Sequence, residues 1–294
     1  MELFMTGATG YIGSVVAETF LAGGARIVGL ARSEEKAEAL RRAGVRPVSG
    51  GLADAERLAW EARHADGVVH LAISHTDNER LDTLAVRSML EALEGSGKPF
   101  LYTSGTLIYD DTGETAVDED AALRPPPFLA WKAEQERAVL AAASRDVRTA
   151  VLRPTLVYGR GGGLVRGQIE LVRRLGAARY VGDGTQAWST IHVDDVAKLY
   201  LRAYERAKPG ALYNLASREA VTMKALVYTV ARLAGLEREV ASWTYAEAEA
   251  ALGPLAWPMS ISQRVSGAKA ERELAWTPRA SSLLEELAEG SYAV

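Results

Sequence analysis

The chain has 294 residues, 48% of them apolar, with 34 basic and 38 acidic side chains, a formal charge of −4 and no cysteine. That is enough for one large domain or a domain with a smaller lobe, and it gives no electrostatic case for nucleic acid or an anionic membrane surface. Without cysteine there is no disulfide, thiolate metal site or thiol nucleophile; a cytoplasmic protein is the simplest reading, although a cysteine-free chain can fold in any compartment.

The first strand is expected at once, in Leu3-Phe4-Met5, with no basic segment and apolar stretch before it of the kind a signal peptide shows. No run of 18 apolar residues is present to span a bilayer. After the strand comes Thr6-Gly7-Ala8-Thr9-Gly10-Tyr11-Ile12-Gly13, then a helix with apolar residues at 12, 15, 16 and 20 on one face. A glycine trio alone also occurs in ligand-free α/β turns, but strand, glycines at intervals of three and helix together predict a dinucleotide site. Gly7 allows the sharp turn, Gly10 admits the pyrophosphate to backbone N–H groups, and Gly13 allows close packing of the helix on the sheet. The helix N-terminus then faces the anion with unpaired N–H groups.

Arg26 to Ala31 reads as the second strand, whose end meets the adenosine ribose in such folds. An acidic residue there would favour NAD. The residues are Arg32 and Ser33, with Lys36 one turn on, so a 2′-phosphate and NADP are favoured, with NAD and a merely solvated Arg32 as the alternative. Helices over 34–42 and 54–62 alternate with strands over 45–48 and 67–72, and Asp54 reads as a helix cap. A helix over 78–93, a strand over 98–104, an acidic loop to Pro127, a helix over 128–143 and a strand over 147–153 follow. This alternation predicts an α/β fold with a parallel sheet covered on both faces. Helices are also expected over 221–235 and 245–252. Trp243, Trp257, Pro258 and Met259 line an apolar substrate pocket, pack within the lobe or form a dimer contact.

Six motifs in order resemble the extended short-chain dehydrogenase/reductase family, the group of NAD(P)-dependent epimerases, dehydratases and related reductases. They are the glycine motif, Val69-His70-Leu71-Ala72, Arg153-Pro154-Thr155-Leu156-Val157-Tyr158-Gly159, Ile191-His192-Val193-Asp194-Asp195-Val196-Ala197, Leu212-Tyr213-Asn214-Leu215-Ala216, and the stretch from Ala268 to Pro278. The resemblance covers nearly the whole chain. It implies a Rossmann doubly wound parallel sheet with a small C-terminal α+β substrate lobe. Residues 1–159 would form the NAD(P)-binding core, rejoined by about 190–216, and 160–189 with 217–294 the lobe. It also implies cofactor contacts from Gly7, Thr9, Gly10, Tyr11, Ile12, Gly13, Arg32, Ser33, Leu52, Leu71, Ala72, Thr103, Lys132, Pro154 and Thr155. A homodimer through the helices near 80–95 and 128–143 is a family habit. Asp194 or Asp195 reads as a helix cap and His192 as structural.

The departures from the family pattern matter as much. Its members carry Tyr-x-x-x-Lys, the tyrosine moving the proton and the lysine holding the nicotinamide ribose. Lys132 matches the lysine, but the tyrosine position holds Phe128, which has no O–H. Aligning Tyr109 with the tyrosine that usually follows the family's serine puts Gly105 in the serine position, so Ser104, Thr106 or Tyr109 is the candidate replacement. Trp188 stands where nucleotide-sugar enzymes carry an arginine for the diphosphate, and Gly51 followed by Leu52 replaces an aspartate that contacts adenine. His75 lies where such proteins line the substrate cleft. The sequence therefore points to an NAD(P)-dependent oxidoreductase or epimerase for a small carbonyl or hydroxyl compound. The other reading is a non-catalytic NADP-binding sensor or regulatory protein.

Overall fold

A computed structural model describes residues 1–74 and 76–293; His75, a sequence candidate for substrate contact, lies outside them. Strand β1 (Glu2–Thr6) carries Leu3, Phe4 and Met5, each at most 1% exposed. A strand apolar on both faces belongs inside a covered parallel sheet, and β1 sits in the middle of one. Around it lie α1 (Tyr11–Ala22), β2 (Arg26–Ala31), α2 (Glu34–Arg42), β3 (Arg46–Ser49), α3 (Ala55–His64), β4 (Gly67–His70), α4 (Asn78–Leu93), β5 (Pro99–Thr103), α5 (Ala130–Ala141) and β6 (Arg148–Pro154).

The second half contributes β7 (Leu156–Tyr158), α6 (Gly163–Leu175), β8 (Ala178–Val181), β9 (Ala187–His192), α7 (Val193–Arg206), β10 (Ala211–Leu215), β11 (Ala220–Thr222) and α8 (Met223–Leu233). It closes with β12 (Val240–Trp243), α9 (Tyr245–Leu252), α10 (Ala256–Ser260), α11 (Ala268–Glu273) and α12 (Leu283–Glu289).

Seven strands run parallel in the order β10-β6-β5-β4-β1-β2-β3. The direction of winding reverses between β1 and β4, and in such sheets the crevice beyond the strand ends at the reversal is where ligands bind. One apolar cluster, fed by α1, α2 and α7, covers one face; a second, fed by α3, α4 and α5, covers the other. A third cluster, with Leu156, Val165, Ile169, Leu226, Leu283 and Tyr292, lies beyond the sheet. It is accompanied by a three-stranded sheet (β11-β9-β7) and a β12-β8 pair.

The bounds of β2, α2, α4 and α9 coincide with the sequence expectation, and Asp54 caps α3 by accepting the N–H of Arg57 at 3.1 Å. The expected helix over 128–143 is broken into a 3-10 turn at Pro127–Leu129, α5, and a second 3-10 turn at Ala142–Arg145. Pro127 holds the preceding Pro126 in an extended conformation (φ −61°, ψ 157°) and supplies no N–H of its own, so the regular helix starts late. The cap of α7 is neither aspartate but His192, whose Nδ1 accepts the N–H of Asp194 at 3.1 Å. Asp195 is turned to the C-terminal segment and accepts the N–H groups of Arg279 and Ala280 at 2.9 and 3.0 Å. Among the described residues no helix is long and apolar enough to cross a membrane.

Candidate functional site

A cleft of about 490 Å³ opens at the C-terminal ends of the central strands, lined by Gly7, Thr9, Gly10, Arg32, Lys36, Leu52, Leu71, Ala72 and their neighbours. Gly7 has φ +74°, and a Cβ there would stand 2.6 Å from the N of Ala72, so only glycine brings the β1–α1 loop this close to the end of β4. Gly10 is the N-cap of α1, and no side chain caps that helix. Its first N–H groups are therefore left for an anion, in the arrangement that suits a pyrophosphate. Gly13 packs on the loop rather than on the sheet: a Cβ would lie 2.0 Å from the Gly7 carbonyl oxygen.

Tyr11 and Ile12 do not line this cleft. The Tyr11 hydroxyl donates to the Gly159 carbonyl at 2.8 Å, and burial, with Tyr292 beside it, pushes its pKa far up. Ile12 packs against the core.

At one end, Leu30, Gly50, Gly51, Leu52 and Ala53 join Arg32 and Lys36. Among the described residues no carboxylate lines the cleft and neither cation is in an ion pair. Ser33 is committed to structure: it caps α2, accepting the N–H of Lys36 at 3.3 Å.

Toward the other strand ends, the Thr103 hydroxyl donates to the His70 carbonyl and meets the Tyr200 hydroxyl, both at 2.7 Å. Pro154 ends β6 opposite Leu215, and the Thr155 hydroxyl donates to the Leu215 carbonyl at 2.9 Å. These residues tie strands together where the sequence placed them beside cofactor.

The three candidate hydroxyls separate clearly. Tyr109 is buried, donates to Asn214 Oδ1 at 2.9 Å and accepts from Arg153, whose Nε donates to Glu136 at 2.9 Å inside the protein. Burial pushes the Tyr109 pKa up, against the opposing pull of Arg153 and Asn214. Thr106 is 5% exposed in a 3-10 turn over 106–109. Ser104 has its N–H on the Leu152 carbonyl at 2.8 Å, but its Oγ is buried with no hydrogen-bond partner among the described residues.

Lys132 is 9% exposed, its Nζ 3.6 Å from Asp82 Oδ2 and 4.6 Å from the centre of the Tyr102 ring. Burial lowers its pKa; Asp82 and Glu136 oppose the shift. Asp82 was not legible as a site residue, though it carries a signal. It is the one carboxylate in the stripe 82, 85, 86, 89, 90, 93 that α4 buries. Phe128 is 53% exposed and meets Trp257 edge to face at 5.7 Å. Trp188 donates its indole N–H to the Ile261 carbonyl at 2.9 Å and packs on the third apolar cluster.

The model for the NAD dependent epimerase/dehydratase family matches residues 3–216. The chain belongs to that family. An uncharacterized protein of Schizosaccharomyces pombe is 31% identical over 299 residues, covering 99% of this chain and all of the relative. A ketoreductase of Stigmatella aurantiaca, for 4-hydroxy-2-methyl-3-oxo-4-farnesyl-3,4-dihydroquinoline-1-oxide, is 28% identical and covers 90% of this chain and 83% of the relative. The UDP-glucose 4-epimerase of Thermotoga maritima, solved with UDP-glucose, superposes with a TM-score of 0.82 at 21% identity, covering 100% and 97% of the two chains. This epimerase/dehydratase chain is thus an NAD(P)-binding oxidoreductase-type protein on a Rossmann fold.

Proposed function

We propose that the protein is an NADP-dependent oxidoreductase acting on a small carbonyl or hydroxyl compound, with Ser104 in place of the missing tyrosine as the hydroxyl that meets the substrate oxygen. The observation that carries this reading is the Ser104 Oγ at the end of β5, buried and without a partner among the described residues. A buried hydroxyl left unpaired is costly, and a substrate oxygen at that strand end would satisfy it. Bound NADPH would supply the hydride. Gly7, Thr9, Gly10 and the start of α1 would hold its pyrophosphate, Arg32 and Lys36 its 2′-phosphate, and Lys132 its nicotinamide ribose. Thr106 is a second hydroxyl near by in sequence, whereas the Tyr109 O–H is committed to Asn214.

Residues 160–189 and 217–294 would form the substrate lobe. Trp188, with its N–H on a backbone carbonyl, offers no cation to a diphosphate, which favours a substrate other than a nucleotide sugar. The Stigmatella ketoreductase supports carbonyl reduction as the chemistry.

The test is oxidation of NADPH, followed by absorbance, across a panel of aldehydes, ketones and quinones. Turnover that survives in Phe128→Tyr and is lost in Ser104→Ala and in Lys132→Ala is the expected result. Tight NADPH binding without turnover by any form would favour a cofactor sensor, the reading to which Phe128 otherwise points.

A further inference from the structure

We propose that Asp82 is a positioning residue that fixes Lys132 in place and keeps it charged; the proposal rests on the reading of Lys132 as the holder of the nicotinamide ribose. Asp82 is fully buried on α4, and each of its oxygens is taken. Oδ1 lies 3.1 Å from His70 Nε2, and Oδ2 accepts the Tyr102 hydroxyl at 2.6 Å. His70 Nδ1 meets the Thr6 hydroxyl at 2.7 Å, and Thr6 Oγ1 accepts the N–H of Ala72 at 3.3 Å. The two ring nitrogens of His70 thus link Thr6 on β1 to Asp82 on α4. The path runs from Thr6, one residue before the glycine-rich loop, through β4 and α4 to Lys132 on α5. At its end the Asp82 carboxylate faces the Lys132 ammonium.

The carboxylate is thus held by side chains of β4 and β5, and Lys132 on α5 is held by it. At 3.6 Å the ion pair leaves the ammonium donors unspent by tight hydrogen bonding. The Tyr102 ring at 4.6 Å and the Trp131 ring at 4.9 Å flank the same nitrogen. The charged groups that bear on Lys132 are Asp82 from α4 and Glu136 from its own helix; Tyr102 touches the lysine with its ring and Asp82 with its hydroxyl, and His70 bonds to Asp82. A buried ammonium that loses its nearest counter-charge gives up its proton more easily. Asp82 itself is pushed up by burial, but the His70 bond, the Lys132 charge and the Tyr102 bond together hold it below the ordinary carboxylate range.

The experiment measures NADPH affinity by fluorescence titration from pH 6 to 9 for the parent, Asp82→Asn, Tyr102→Phe and Lys132→Met. For the parent, little change across the range is expected. For Asp82→Asn, affinity near the parent's at pH 6 should fall by about tenfold or more by pH 9, as the lysine deprotonates. Tyr102→Phe, which loosens the carboxylate without removing it, should shift the same way by a smaller factor, and it serves if Asp82→Asn does not fold. Lys132→Met should bind weakly at every pH. A parent-like pH profile in both Asp82→Asn and Tyr102→Phe, with Lys132→Met weakened, overturns the anchoring role alone. Undiminished NADPH binding by Lys132→Met overturns the placement of Lys132 at the ribose, and the proposal with it.

Discussion

Gly13 stands with its α-carbon so close to the loop that a methyl group on it would lie 2.0 Å from the carbonyl oxygen of Gly7. That obstacle is backbone on both sides and cannot rotate away. Gly13→Ala is therefore expected to push α1 off the loop, costing about 1–3 kcal/mol as overpacking does, and to weaken NADPH binding. Thermal melting and a fluorescence titration check the two effects. Unchanged affinity would show that the loop tolerates the shift.

Arg32 and Lys36 line the cleft with no acidic partner among the described residues. Replacing the first by Asp should weaken NADPH by roughly 10–100-fold, the scale of a lost charge-assisted hydrogen bond, while NADH is much less affected. Equal loss for both cofactors would remove the argument for a 2′-phosphate contact.

Phe128 is half-exposed and forms a T-shaped pair with Trp257. Phe128→Tyr should leave stability within about 0.5 kcal/mol of the parent, as substitutions at exposed positions usually do. Phe128→Ala should lose about 0.5–1.5 kcal/mol through the aromatic pair. Denaturant titration separates the two. A large loss in Phe128→Tyr would mean that the para position is enclosed.

Glu119 accepts the backbone N–H of Asn214 at 2.7 Å, and burial raises its pKa above the ordinary value of 4.5. The folded chain therefore keeps a proton that the unfolded chain releases, so this group's contribution to stability declines as pH rises through the raised pKa. Glu119→Gln keeps the acceptor and removes the titration. Parent and variant should melt together below pH 4, and the variant should melt higher at pH 7. A difference independent of pH would refute this.

The sequence showed the strand and helix alternation well, because continuous apolar strands and amphipathic helices with caps such as Asp54 are local signals. The glycine-rich loop and the Arg32 and Lys36 pair were equally plain, since glycine spacing and charge sit within one unit of chain. What stayed hidden depends on partners far apart in sequence. Nothing near Tyr109 announces that Arg153 and Asn214 take its hydroxyl. Nothing near Tyr11 announces Gly159. The break before α5 was legible in principle, in Pro125-Pro126-Pro127, whereas the choice of His192 over the aspartates as cap depends on where β9 stops.

The strand order also bears on how the protein can be made. Strands β3, β2, β1, β4 and β5 are neighbours in the sheet, and all lie before residue 104. A chain emerging from the ribosome thus delivers five adjacent strands first, and domains fold from the N-terminal side during synthesis. Later arrivals β6 and β10 each add to the same border in turn, and neither must wedge between strands already paired. The half-made protein has one growing border, at β5, to shield until the next segment covers it.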